Sequence, residues 1–407
     1  MPNFQAGNRH GLLLIAVAWL APIGATLFAP VLPDMIRHFS HVPHAELLAP
    51  IAMVTPSLMV ALLAPLAGLL TDRIGRRRVL LTALAVYTAA GMAPFWIDDI
   101  YLIIASRCVV GIAEAGVMTA STALICDYFT GERRAHWLSV QFGSAALVAT
   151  VCFVVAGILG GLDWRAPFLV YAATIIFVPL VLFMIVEPAR SPASLETTTI
   201  AADENQRLFS PRYILGLLLT LVCGILFYVT PVHISLVFTE RGFTDPAVLG
   251  LASAIGSIGV VVGAAMFRFQ SRRSIGSLLF IAIAAQAVGY AVLYTQPSLQ
   301  GGIIGMFLNN IGCGISLPLV LAFTMSKLPD AYRGRASGLW TSLFFIGQFV
   351  CPFVVAGISS LSGGMVATMG ILAGLTAAAA LLLLTTLMLS KRLREPATTG
   401  TLGIATH

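Results

Sequence analysis

Long apolar runs separated by short polar breaks make up almost the whole chain: 11–33, 47–70, 78–96, 100–127, 135–160, 166–186, 213–237, 248–267, 275–295, 300–325, 335–360 and 365–390. Each is close to the roughly 20 residues that an α-helix needs to cross the hydrocarbon core of a bilayer. None alternates apolar and polar residues with period two, and irregular backbone facing lipid would leave N–H and C=O groups unpaired, so a membrane β-barrel is excluded. The pattern predicts an all-α polytopic membrane protein with twelve transmembrane helices.

One break differs from the rest. Residues 187–212, EPARSPASLETTTIAADENQRLFSPR, form the longest hydrophilic stretch and divide the helices six and six. A shift of 201 residues superposes Pro30 on Pro231, Gly75 on Gly276, Gly111 on Gly312, Arg134 on Arg335 and Ala135 on Ala336, and aligns the apolar runs as well. Duplicated halves follow, as transporters are commonly built, with the substrate site near the midplane between them. The expected organisation is two pseudo-symmetric six-helix bundles, 1–187 and 212–391, joined by a central loop, 188–211, and followed by a tail, 392–407.

Composition sharpens the picture. Of 407 residues, 58% are hydrophobic and only 10% are charged, and the mean hydropathy is +0.94; soluble domains carry about 25% charged residues, so that class is excluded. The formal net charge of +6 would suggest nucleic acid as a partner in a soluble protein. Here topology accounts for it. With the N-terminus in the cytoplasm, 19 of the 23 Lys and Arg fall in inside segments, three (Arg37, Arg165, Arg241) lie outside, and Arg107 sits within a span. This split places both termini in the cytoplasm of a cell or inner membrane, with the lipid bilayer rather than nucleic acid as partner. Met1 to His10 is polar and the first apolar run lacks a small-residue cleavage pattern, so it is expected to be a retained helix. The six cysteines have neither metal-ligand nor CxxC spacing, so neither a metal nor a disulfide framework is expected.

Chemistry concentrates at few positions. Between spans two and three the chain reads Gly68-Leu-Leu-Thr-Asp72-Arg73-Ile-Gly75-Arg76-Arg77-Arg78. Gly68 permits close helix approach, Gly75 a tight turn, and Asp72 lies among four arginines able to form charge-assisted hydrogen bonds. This stretch resembles the signature loop of the major facilitator superfamily, G-x-x-x-D-R/K-x-G-R-R/K, with Gly68, Asp72, Arg73, Gly75, Arg76 and Arg77 in its fixed positions. The resemblance covers residues 10–392 and implies the family's twelve-helix fold, with this loop latching the two halves during alternating access. At the repeat offset Gly276 remains but Arg273 stands in place of Asp72, so the latch is expected on the first half only.

Span four carries Arg107-Cys-Val-Val-Gly111-Ile-Ala-Glu114. An arginine inside a membrane helix costs about 2.5–3.5 kcal/mol on insertion scales, so the charges need a reason to be there. Seven residues at about 100° each turn through roughly 700°, which puts both side chains on one face, about 10 Å apart along the axis, with Gly111 and Met118. Two readings are open: a static pair fastening helices, or a proton and substrate site facing a cavity. Arg107 and Gly111 resemble the R-x-x-x-G element of proton-coupled facilitators, and Glu114 is similar to the glutamate of spinster-type exporters. At the repeat offset Leu308 and Ile315 replace the charged pair. Span five ends Gly157-Ile-Leu-Gly160-Gly161-Leu-Asp-Trp164-Arg165, partly resembling the family's antiporter signature without its proline; these glycines also suit plain helix packing.

Candidate cavity-lining residues are Gln141, Asn309, Asn310, Gln348, Tyr228 and Trp340. Asn309 and Asn310 point about 100° apart, so at most one faces a pathway directly. His233 reads as an interfacial histidine at the outer end of span seven. HExxH, GxSxG, paired intramembrane aspartates and Gly-rich phosphate loops are all missing from the sequence, which disfavours a membrane enzyme. The expected activity is secondary active transport: proton-coupled efflux of small amphipathic, drug-like compounds, as the resemblance to drug:proton antiporters implies, by a monomer using protons and no cofactor. The alternative within the class is uptake of an organic anion, with Arg107 as counter-charge.

Overall fold

The computed structural model describes residues 6–188, 211–270, 273–326, 328 and 330–389. Nearly all of the central loop and the whole tail after 392 lie outside these residues. Among those described, twelve helices are long and apolar enough to cross a membrane: α1 Asn8–His38, α2 Ala45–Ile74, α3 Arg76–Phe95, α4 Ile100–Tyr128, α5 Gly131–Gly160, α6 Ala166–Met184, α7 Pro211–Glu240, α8 Pro246–Gln270, α9 Ile275–Thr295, α10 Leu299–Met325, α11 Ala336–Ser362 and α12 Met365–Met388. Large apolar side chains such as Leu66, Leu218, Phe183 and Leu382 point outward, as lipid-facing residues do.

The chain divides into two compact units, Met1–Thr199 with Thr244–Leu251, and Ile200–Phe243 with Ala252–His407. In the first, α2, α3 and α1 pack on α4, α1 also packs on α5, and α6 packs on α3. In the second, α9 and α7 pack on α10, α11 packs on α7, and α12 packs on α9. The pairings of α1 with α4 and α5, and of α3 with α4 and α6, recur six helices further along, as the sequence offset of 201 requires of a duplicated bundle.

Two local features depart from the hydropathy pattern. The stretch expected as a loop between spans two and three is almost entirely helical: α2 runs to Ile74 and carries Gly68, Asp72 and Arg73, and α3 starts at Arg76. Gly75 alone makes the turn, with φ 114°, a conformation open to glycine. The second is α1, which is a broken run of Asn8–Ala18, Leu20–Thr26, a 3-10 turn over Ala29–Val31, and Leu32–His38. Pro22, Pro30 and Pro33 each lack an N–H, so carbonyls one turn earlier lose their helical donors.

At one end of the first unit, Asp98 joins three segments. His38 Nε2 lies 2.6 Å from its Oδ1 and Arg165 Nη2 donates to the same oxygen at 2.5 Å. The hydrogen bond with His38, reinforced by the Arg165 charge, holds the Asp98 carboxyl below the usual carboxylate range. His38, Phe39 and the Arg165 guanidinium pack around the ring of Trp164.

Candidate functional site

Arg107 and Glu114 are the only Asp, Glu, Lys or Arg side chains buried among the described residues, 0% and 6% exposed. α4 delivers both to the break in α1, in keeping with the shared face that their spacing predicts. Its own start is fixed by Asp99, whose Oδ1 accepts from the N–H groups of Tyr101 and Leu102 at 2.8 and 3.1 Å. Arg107 Nη2 donates to the Gly24 carbonyl at 2.9 Å and Nη1 to Tyr171 Oη at 2.8 Å. The Gly24 carbonyl belongs to the last turn before α1 breaks, where helix acceptors lack intrahelical donors. The guanidinium also lies over the rings of Phe28, 4.8 Å from its centroid, and Tyr171, at 5.5 Å.

Among the described residues, the ion pairs do not include one between Arg107 and Glu114. The two converge on Gly24 instead. An ideal Cβ there would lie 3.3 Å from Arg107 Nη2, 3.5 Å from Glu114 Oε2 and 3.6 Å from Tyr171 Oη. Cation, carboxyl and phenol thus border a single methyl-sized space that exists because residue 24 has no side chain. Gly111, which shares their helical face by spacing, serves a different neighbour: its Cβ would lie 2.6 Å from Pro56 Cα on α2.

Sequence reasoning missed Gly24, Phe28, Tyr87 and Tyr171. Tyr87, fully buried on α3, donates to the Leu20 carbonyl at 2.5 Å, and its ring centroid lies 5.1 Å from that of Tyr171. A signal was available: a tyrosine deep in an apolar span carries a hydroxyl that lipid cannot satisfy, so it needs a polar partner inside the bundle.

The signature residues form a second cluster. Arg76 pairs with Asp127 at the end of α4, donates from Nη1 to the Ala123 carbonyl at 3.2 Å, and lies 4.0 Å from Asp72. Arg77 donates to the Leu182 carbonyl on α6. Glu187, just beyond α6, accepts from the backbone N–H groups of Arg76 at 2.6 Å and Arg77 at 3.0 Å, capping α3. Gly75 is required twice over, by its φ and because a Cβ there would lie 3.0 Å from the Glu187 carboxylate. Replacing Glu187 by Ala uncovers two charge-assisted bonds at a helix N-terminus and is expected to cost about 0.5–2 kcal/mol. A lowered unfolding midpoint in detergent, with E187Q intermediate, checks this.

The other candidates have settled positions. Gln141, on α5, donates to Thr122 Oγ1 at 3.2 Å while its buried Oε1 has no partner. Asn310 accepts from Thr230 Oγ1 and donates to the Gly256 carbonyl, both at 3.0 Å, joining α7, α8 and α10. Asn309 donates to the Gln286 carbonyl at 3.4 Å. Trp340 stacks on Phe344 with its Nε1 buried and unpartnered, Tyr228 stacks on Phe227, and Gln348 is buried. His233 is 1% exposed, its Nδ1 3.3 Å from the Val229 carbonyl, so it is a core residue of the second unit and not an interfacial one. Gly157 packs within the first unit, where its Cβ would lie 2.6 Å from the Pro246 carbonyl oxygen and 2.9 Å from Gly250 Cα.

Residues 14–352 match the family model described as Major Facilitator Superfamily. The chain is 27% identical over 377 residues to the class C tetracycline resistance protein of Escherichia coli, covering 87% of this chain and 91% of that protein. It is 24% identical over 373 residues to the bacillibactin exporter of Bacillus subtilis (strain 168), covering 86% and 90%. Among solved structures, a bacterial homologue of the human lysosomal transporter Spinster, inward-facing and unoccupied, superposes with a TM-score of 0.73 at 17% identity over 94% of this chain and 97% of that one. The twelve helices, the repeated packing and the match over most of its length mean that the chain belongs to the major facilitator superfamily, a family of multi-pass membrane transporters.

Proposed function

We propose that the protein is a proton-coupled exporter of small amphipathic organic compounds, working by alternating access. The observation that carries this reading is that Arg107 and Glu114 are the sole buried Asp, Glu, Lys or Arg side chains among the described residues. A carboxyl kept inside an apolar bundle without a direct ion pair is suited to take up and release a proton, and intramembrane carboxylates mark proton relays. Relatives whose names specify tetracycline resistance and bacillibactin export, matched over most of their length, support outward transport of such compounds. In the cycle, Glu114 is protonated from outside and deprotonates to the cytoplasm as substrate leaves the cell, while the cluster around Arg76 and Asp127 latches the halves in one state. A monomer in the inner membrane, with both termini cytoplasmic, completes the proposal.

Uptake of an organic anion on Arg107 is the weaker reading. Both Nη atoms are already engaged by Gly24 and Tyr171, which leaves the guanidinium a poor anchor for an anion. The test uses proteoliposomes with an imposed pH gradient and tetracycline, a fluorescent lipophilic cation and a lipophilic anion as probes. E114Q is expected to lower gradient-driven movement of at least one probe tenfold or more while leaving its downhill exchange intact. Gradient-driven movement that persists unchanged in E114Q refutes the mechanism.

A further inference from the structure

We infer that Tyr171 is a positioning residue that holds Arg107 off Glu114, and so sets the proton concentration at which the transporter works. The inference rests on the reading of Glu114 as the proton carrier. Its basis is how the guanidinium is shared out. Nη1 is committed to Tyr171 Oη and Nη2 to the Gly24 carbonyl, while Nε is buried without a partner. Glu114 Oε2 borders the same methyl-sized space beside Gly24 yet receives neither Nη. Tyr171 is itself fixed. Its ring lies against Gly91 of α3 so closely that a Cβ on Gly91 would fall within the ring's van der Waals envelope, and its other face meets Tyr87.

Without the Tyr171 hydroxyl, Nη1 becomes a buried donor lacking an acceptor, and the nearest strong acceptor is the carboxyl across that space. A cation that moves closer favours the ionised carboxylate, so a higher proton concentration is needed to load it. The groups facing Glu114 are few: Arg107 on its own helix, Tyr171 from α6 and Tyr87 from α3. Helices α1, α2 and α5 contribute no buried acidic or basic side chain among the described residues apart from His10, at the start of α1.

Three variants test this in proteoliposomes, with initial rates of gradient-driven tetracycline movement recorded across pH. Y171F keeps the ring and its packing on Gly91 and removes only the acceptor; its profile is expected to move to acid by roughly one pH unit, a tenfold rise in the proton concentration needed. G91A displaces the Tyr171 ring without touching the site, and is expected to shift the profile the same way should Y171F fail to assemble. T220V removes a buried hydroxyl of the second unit that donates to the Gly216 carbonyl of its own helix, and its profile should match that of the unaltered protein. Y171F and G91A profiles that superpose on the unaltered one overturn the inference, as does an equal shift in T220V. Loss of coupling in E114Q alongside an unmoved Y171F profile overturns only the role of Tyr171, whereas full coupling in E114Q overturns the proton-carrier reading itself.

Discussion

Replacing Arg107 by Met abolishes gradient-driven transport and lowers stability by about 3–5 kcal/mol, the range found when one partner of a buried charged network is removed. Met fills much of the same volume, so the loss is not a cavity effect. What disappears is the donor to the Gly24 carbonyl and to Tyr171 Oη, together with the only buried Lys or Arg among the described residues of the first unit. The hydrogen bonds alone account for about 1.5–3 kcal/mol each where a charged donor is involved, and contacts with the Phe28 and Tyr171 rings add about 0.5–2 kcal/mol. R107K keeps the charge but presents a single ammonium group that cannot reproduce the planar fork, so it is expected to fall between the two. The double variant R107M/E114Q separates charge from packing. A neutral amide no longer needs a nearby cation, so part of the stability returns and the two effects fail to add. Thermal unfolding in detergent reads the unaltered chain, R107M, R107K, E114Q and the double variant; an R107M midpoint equal to that of the unaltered chain excludes an electrostatic role for the site.

The helices, their number and the division into halves were legible because the bilayer imposes a coarse and stringent pattern: about 20 apolar residues per crossing, with charge confined to the ends. The same constraint made Arg107 and Glu114 conspicuous, and their seven-residue spacing placed them on one face. Their partners were hidden for a physical reason. Gly24 acts through a backbone carbonyl and the absence of a side chain, and neither is written in a hydropathy profile. Tyr171 is brought to Arg107 by the packing of α6 on α3, which depends on the notch at Gly91, one glycine among 37. The signature stretch was read as a loop because four arginines within six residues break the apolar pattern. Charge at a membrane surface does not disfavour a helix, however, and α2 continues until Gly75 turns the chain. Glu187 was out of reach because its partners, the N–H groups of Arg76 and Arg77, lie more than a hundred residues away.

Gly111→Ala is expected to destabilise the first unit by about 1–3 kcal/mol and to cut transport more severely than that loss alone would. Its Cβ would lie 2.6 Å from Pro56 Cα, 2.7 Å from the Pro56 carbonyl oxygen and 2.7 Å from Met59 Cβ. Two of these are backbone atoms and the third is the root of a side chain, so none can rotate away; α2 and α4 must separate. Gly111 lies one turn after Arg107 and one before Glu114, so displacing this stretch of α4 moves both groups relative to Gly24 and Tyr171, where shifts of a few tenths of an ångström change hydrogen bonding. Gly116→Ala provides the comparison on the same helix. Its Cβ would meet the Ala83 Cβ at 3.1 Å, a tight contact with a single methyl that α3 can relieve, and the loss should be smaller. Unfolding midpoints and gradient-driven rates measured side by side decide the point. If G111A and G116A are equally stable and equally active, close approach of α2 is not what fixes α4, and the geometry of the buried site must be held from α1 and α6 instead.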